Sequence, residues 1–160
     1  MPVLPPLPHA SIGRLMGLLE AMRRTPGRDR ISRLAAGLHL GLDGLLPLLA
    51  AAHLLGWAAG EKGIYDLTAE GRRVAEAAEA ERKALFRERA RDVPLLRLIL
   101  EALEAAAGKP VPGERILAAL SGQFPALEAE RQLATAVNWG RYAEMFDYDN
   151  ELGCLMLPAA

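Results

Sequence analysis

The chain has 160 residues and a mass of 17.3 kDa, room for one ordinary domain or two very small ones with a real core. Hydrophobic residues make up 51% and charged residues 24%, which excludes the weakly hydrophobic, highly charged composition of a disordered chain. A formal charge of -1 argues against a generally basic, nucleic-acid-coating protein, and a single cysteine, Cys154, excludes an internal disulfide and a multi-cysteine zinc cluster.

Residues 1–10 carry prolines at positions 2, 5, 6 and 8 and lack a basic leader, so an extended Pro-rich arm is expected rather than a helix or a signal peptide. Ser11 offers an N-cap to a helix in which Ile12, Leu15, Met16, Leu18, Leu19 and Met22 recur at helical spacing until Thr25-Pro26-Gly27. A second helix is expected over Arg28–Leu40, closed by Gly41, and a third over Leu42–Leu55, with Asp43 at its positive end and Gly56 after it. Trp57–Ala59, a turn through Gly60–Gly63, and Ile64–Leu67 read as a hairpin. Thr68 then caps a long polar helix running towards Arg91.

The second half repeats this order of elements. Val93-Pro94 breaks the long helix, and Leu95–Leu103 forms an apolar helix ending near Gly108. A short helix over Glu114–Leu120 and a third over about Ala126–Tyr142 follow, then a second hairpin from Met145 to Leu157 with its turn at Asp149–Gly153. The expected fold class is mainly α with small β-hairpins: tandem winged helix-turn-helix units joined by a long helix. The expected domains are an arm at 1–10, a first unit at 11–68, a connecting helix at 69–92 and a second unit at 93–157.

Few residues offer chemistry. Gly108-Lys109 is followed by Pro110 and lacks the spaced leading glycine of a phosphate loop, and no Gly-rich dinucleotide fingerprint follows a strand. His9, His39 and His53 are far apart in sequence, so a metal set is not expected, and the serines sit in helical or capping contexts. Asp147 and Asp149 leave one face of a strand as a carboxylate pair would, yet solvated hairpin residues are the simpler reading. No enzyme activity and no cofactor is expected.

Binding is the stronger theme. The third helix is apolar and free of arginine and lysine, which suits protein contact better than phosphate, and Leu45, Leu48, Leu49 and His53 are its candidate interface. Arg23, Arg24, Arg28, Arg30 and Arg33 form a basic patch around the first inter-helix turn, the main argument for the alternative, a winged-helix DNA-binding regulator, which would also use Arg131 and Arg141. The acidic stretch Glu144–Glu151 offers that patch a counterpart for self-association. A soluble, cytoplasmic protein without membrane insertion is expected.

Five segments, Leu45–Trp57, Leu67–Arg72, Glu81–Phe86, Val93–Leu95 and Asn138–Asp149, resemble the C-terminal AAA-associated domain family, over about Ser11 to Leu157. The last segment, with Trp139, Gly140, Arg141, Tyr142, Phe146, Asp147, Tyr148 and Asp149, is the most specific; Leu-Thr-x-x-Gly-Arg occurs in many winged helices. The family occurs as an extension of ATP-binding subunits of nitrate, sulfonate, taurine and bicarbonate ABC importers, and as free-standing proteins. The resemblance implies an accessory or regulatory module without chemistry of its own. Its partner would be an importer ATP-binding subunit on a separate chain or a second copy, which places it in the cytoplasm or peripheral to the membrane through a transporter; a role outside transport is the other possibility. Within the last segment, Trp139 and Tyr142 share a helix face, Gly140 permits close approach, and Arg141 can reach Asp147 or Asp149. Trp139, Tyr142, Phe146 and Tyr148 are expected to build the second core.

Overall fold

A computed structural model describes residues 3–24, 30–61 and 64–158. The described residues are mainly helical, with small antiparallel hairpins, and they form two compact units, residues 8–82 and residues 1–7 with 83–160. The division falls inside a helix, between Arg82 and Lys83, rather than at the ends of an expected connector over 69–92.

In the first unit, α1 (Ile12–Arg24), α2 (Arg30–Gly37) and α3 (Leu42–Leu54) precede β1 (Ala58–Glu61), β2 (Ile64–Leu67) and α4 (Ala69–Glu76). Helix α1 starts where Ser11 Oγ accepts the Arg14 amide at 3.3 Å and buries Ile12, Leu15, Met16, Leu18, Leu19 and Met22. The stop expected at Thr25-Pro26-Gly27 lies outside the described residues. Helix α2 ends earlier than expected. Its closing residue is His39, with φ 55, and not Gly41; the Leu40 amide reaches back to Ala35 O and the His39 amide to Ala36 O, the paired bonds of a Schellman end. In β1 and β2, Ala58 faces Leu67 and Gly60 faces Tyr65. Thr68 caps α4 through the Gly71 amide, at 3.0 Å, while donating its own hydroxyl proton to Gly56 O at 2.7 Å.

The expected long helix is interrupted. Helix α4 stops at Glu76, Ala77 is extended with ψ 153, and α5 (Glu79–Ala90) begins two residues later. No proline or glycine marks the break. Arg82, one turn into α5, bonds across it: its guanidinium donates to Val74 O at 3.0 Å and Ala75 O at 2.7 Å, and pairs with Glu20 at 2.7 Å. Both carbonyls lie in the last turn of α4, where Val74 O also accepts the Ala77 amide at 3.3 Å, and a charged donor there favours the negative pole of the helix.

In the second unit, the rest of α5 is followed by α6 (Pro94–Ala105), β3 (Val111–Pro112), α7 (Gly113–Leu120), α8 (Ala126–Tyr142), β4 (Asp147–Asp149) and β5 (Cys154–Met156). Strand β5 is central, in the order β3-β5-β4. Val111 pairs with Leu155, and Tyr148 pairs with Leu155 on the other edge. Strand β3 is not among the elements expected from the sequence, because a two-residue strand has no readable period. Residues 3–7 also belong to this unit, with Leu4 and Leu7 buried. Among the described residues no helix is long and apolar enough to cross a membrane.

Candidate interaction surfaces

The candidate interface on α3 divides along its length. Leu45, Leu48 and Leu49 are at most 2% exposed, so they belong to the core and offer no docking surface, a correction to the sequence reading. The cause is that α3 packs on α1 and β1, and on a helix that is apolar nearly all round the sequence does not say which side is covered. Its outer face carries Leu46, Ala50, His53 and Leu54 instead. His53 sits edge-on to Tyr65, ring centroids 6.2 Å apart, with Nδ1 3.3 Å from Ala58 O.

The basic patch is only partly described. Arg23, Arg24 and Arg33 are exposed, and Arg23 lies 3.8 Å from Glu76. Arg30 opens α2, and Arg28 lies outside the described residues. On α4 and α5, Arg73 pairs with Glu81 at 3.3 Å, and Lys83 and Arg87 pair with Glu144 at 3.5 and 3.3 Å. Arg87 Nε also donates to Ala143 O at 2.6 Å, close to the end of α8. There Glu144 takes φ 55 and the Met145 amide returns to Gly140 O.

The aromatic segment builds the second core. Trp139 and Phe146 are buried, whereas Tyr142 and Tyr148 are half-buried. Phe86 of α5, not anticipated as their partner, stands edge-to-face to Trp139 at 5.9 Å and to Tyr142 at 5.5 Å. Lys83 Nζ lies 5.7 Å from the Tyr142 ring centroid. A Cβ on Gly140 would fall 2.1 Å from the Phe146 ring, so the glycine lets the ring lie against the helix. Arg141 Nε donates to Asp147 Oδ1 at 2.9 Å, and Arg141 Nη2 donates to Tyr148 O. The Tyr148 amide bonds the same Asp147 oxygen at 2.7 Å. That amide first, and Arg141 second, hold the Asp147 carboxyl below its ordinary 3.8. Asp149 acts on the turn instead, where its Oδ1 accepts the Glu151 and Leu152 amides and shapes the hairpin. The two carboxylates therefore serve the hairpin. Cys154 is a free, half-buried thiol in β5.

Beside this hairpin the second unit has an open groove of about 350 Å³ between α7, α8 and the β4–β5 turn, lined by Leu117, Leu133, Ala134, Val137 and Tyr148, with Glu130 and Asn150 as its polar groups. Leu127 on the first turn of α8 and Leu152 in the hairpin turn are 70% and 71% exposed. Sequence reasoning missed this surface, because Ala134 and Val137 carry no distinctive signal on a helix with buried apolar positions. Of the cations on α8, Arg131 lies 3.7 Å from Glu128 and Arg141 is held by Asp147. Among the described residues no group of three or more His, Cys, Asp or Glu is placed to hold a metal ion.

No curated protein and no solved structure matches this chain. Residues 32–149 match the family profile of the C-terminal AAA-associated domain, a span that takes in α3, the Thr68–Gly71 cap and the aromatic segment of α8 and β4; the chain belongs to that family.

Proposed function

We propose that this protein is a non-enzymatic accessory module that binds the ATP-binding subunit of a nitrate-, sulfonate- or bicarbonate-type ABC importer through protein–protein contacts, in the cytoplasm at the membrane face of the transporter. Family membership over residues 32–149 supports an accessory role. Each unit is read as a winged helix. The order helix, strand, helix, helix, hairpin in α6, β3, α7, α8, β4 and β5 supports this for the second unit, and three helices before a hairpin support it for the first.

The observation that carries the reading is the composition of the α8–hairpin face. A winged helix that reads a duplex brings cations and amides to that face. Here an apolar groove lies beside the helix, and Arg131 and Arg141 face carboxylates of their own chain. Apolar surface of this kind is stabilised by another polypeptide.

The test is co-purification of the full chain with the importer ATP-binding subunit of its own organism, followed by titration. Ala134→Arg introduces a charge at an exposed position of the groove and is expected to weaken the complex by at least about tenfold, with thermal stability changed by no more than about 0.5 kcal/mol. Absence of any complex with the subunit, or a salt-dependent retardation of duplex DNA that Arg131→Ala abolishes, overturns the reading.

A further inference from the structure

The proline-rich segment before α1 is gripped by the second unit as a ligand would be. Leu4 and Leu7 are buried while Val3, Pro5 and Pro6 are exposed, a period of three, and in a polyproline II helix residues three apart lie along one edge. Between Leu4 and Pro8 only Leu4 and Leu7 have a backbone N–H, since the other positions are proline. Both are met by a side-chain amide that reads the main chain in two directions. Gln123 Oε1 accepts the Leu4 N–H at 2.8 Å, and Gln123 Nε2 donates to Leu4 O. Gln132 Oε1 accepts the Leu7 N–H at 2.8 Å, and its Nε2 donates to Leu7 O at 3.1 Å. Gln132 is the one fully buried polar side chain among the described residues, and Glu128 Oε1, 3.0 Å from Nε2, orients it. A buried amide costs free energy unless its donors and acceptor are matched; this one is matched by a peptide group.

We propose that Gln123 and Gln132 form a peptide-binding clamp for an extended, proline-rich segment with two leucines three residues apart, and that residues 3–8 of a second copy of this chain occupy it by exchange. Every copy carries the sequence that already fits, so exchange recreates the same bonds in trans and changes only how the segment is tethered. The cis segment competes at an effective concentration on the order of millimolar. An empty clamp is therefore filled from another copy far more readily than an occupied one.

The clamp is tested with a fluorescein-labelled peptide of residues 3–10, N-acetylated and C-amidated, titrated against full-length chains whose folding is checked by a cooperative thermal melt. The full chain carrying Leu4→Asp and Leu7→Asp cannot fill its own clamp and is expected to bind the peptide at least about tenfold more tightly than the unaltered chain, whose segment competes. A peptide with both leucines replaced by aspartate is expected not to bind, and Gln123→Ala added to the aspartate chain is expected to lower affinity by about tenfold, the loss of a two-bond contact. Exchange is tested by mixing the aspartate chain with a chain carrying Gln123→Ala and Gln132→Leu; the expected light-scattering mass is that of a one-to-one pair, with each chain monomeric alone. If the aspartate chain shows no cooperative melt, Leu4→Ser replaces the double change. A folded, segment-released chain that fails to bind the peptide overturns the clamp, and a mixture that stays monomeric overturns the exchange.

Discussion

Gly71 and Gly140 both occupy positions where an added methyl group collides, and they differ in what it strikes. At Gly71 the Cβ would lie 2.0 Å from the Trp57 carbonyl oxygen, a backbone atom, held by the bond it accepts from the Thr68 amide at 3.0 Å. At Gly140 it would lie 2.1 Å from the Phe146 ring, a side chain. Each glycine-to-alanine change is expected to destabilise by about 2–3 kcal/mol, the cost of overpacking, read by denaturant unfolding. Only one is expected to be rescued from outside the backbone: Phe146→Leu combined with Gly140→Ala recovers at least about 1 kcal/mol of the summed losses, a coupling typical of residues in contact. No such partner change exists for Gly71. His39 gives the opposite sign. An L-residue at φ 55 carries a left-handed cost of about 1 kcal/mol, so His39→Gly is expected to raise stability by about 0.5 kcal/mol after the extra unfolded-state entropy of glycine is subtracted. Asp147 sets a pH dependence. Its folded-state value lies below the ordinary 3.8, so its contribution is complete above 3.8 and is lost as pH falls through the lower, folded value. Asp147→Asn is therefore expected to cost roughly 0.5 kcal/mol at neutral pH, a figure limited by solvent screening of the exposed Arg141 pair. The difference from the unaltered chain should close below pH 3.8, read by urea midpoints across a pH series.

At the scale of elements, Arg82 is where local propensity and the structure part company. Residues 69–91 read as one helix because alanine, glutamate and arginine dominate them and no proline or glycine follows Gly71 within them. The break at Ala77 is stabilised by a guanidinium from the next helix and by Glu20 on α1, neither of which a local window can see. Arg82→Met keeps the aliphatic stem and removes those donors; the expected loss is about 2 kcal/mol, the scale of charged hydrogen bonds left unmade at a partly buried site. Arg82→Lys is expected to recover less than half of this, since one ammonium lacks the fork that spans both carbonyls and the carboxylate. Elements with strong helical periods were legible instead: the expected span Ala126–Tyr142 is that of α8, and Ser11 and Thr68 act as caps. His39 closes α2 where a glycine was expected: the His39 and Leu40 amides close on Ala36 O and Ala35 O around a left-handed residue that sequence statistics disfavour.

For the whole molecule, the hydrophobic pattern along Leu42–Leu55 establishes that the helix is apolar and leaves open which side is covered; Leu45, Leu48 and Leu49 proved interior because α1 and β1 claim them. The groove beside α8 was illegible for a related reason: it is made by residues distant in sequence, Leu117, Val137 and Tyr148, none unusual alone. The division of the chain was equally hidden, since residues 1–7 group with 83–160 and the other division falls in mid-helix, between Arg82 and Lys83. That placement has a measurable consequence. A boundary in a loop is nicked by protease without global unfolding, whereas helical peptide bonds must first open locally. Arg82 and Lys83 are consecutive trypsin targets, and Arg82 is tied through three hydrogen bonds. Limited trypsin digestion is expected to leave the Arg82–Lys83 and Lys83–Ala84 bonds intact until the chain unfolds, with the masses of the fragments as the readout. In Arg82→Met, where the tie is gone and Lys83 remains, cleavage after Lys83 should become at least about tenfold faster under native conditions, the effect of about 1.4 kcal/mol less opening free energy. Equal, rapid cutting at this bond in both proteins would mean that the mid-helix boundary behaves as a loop.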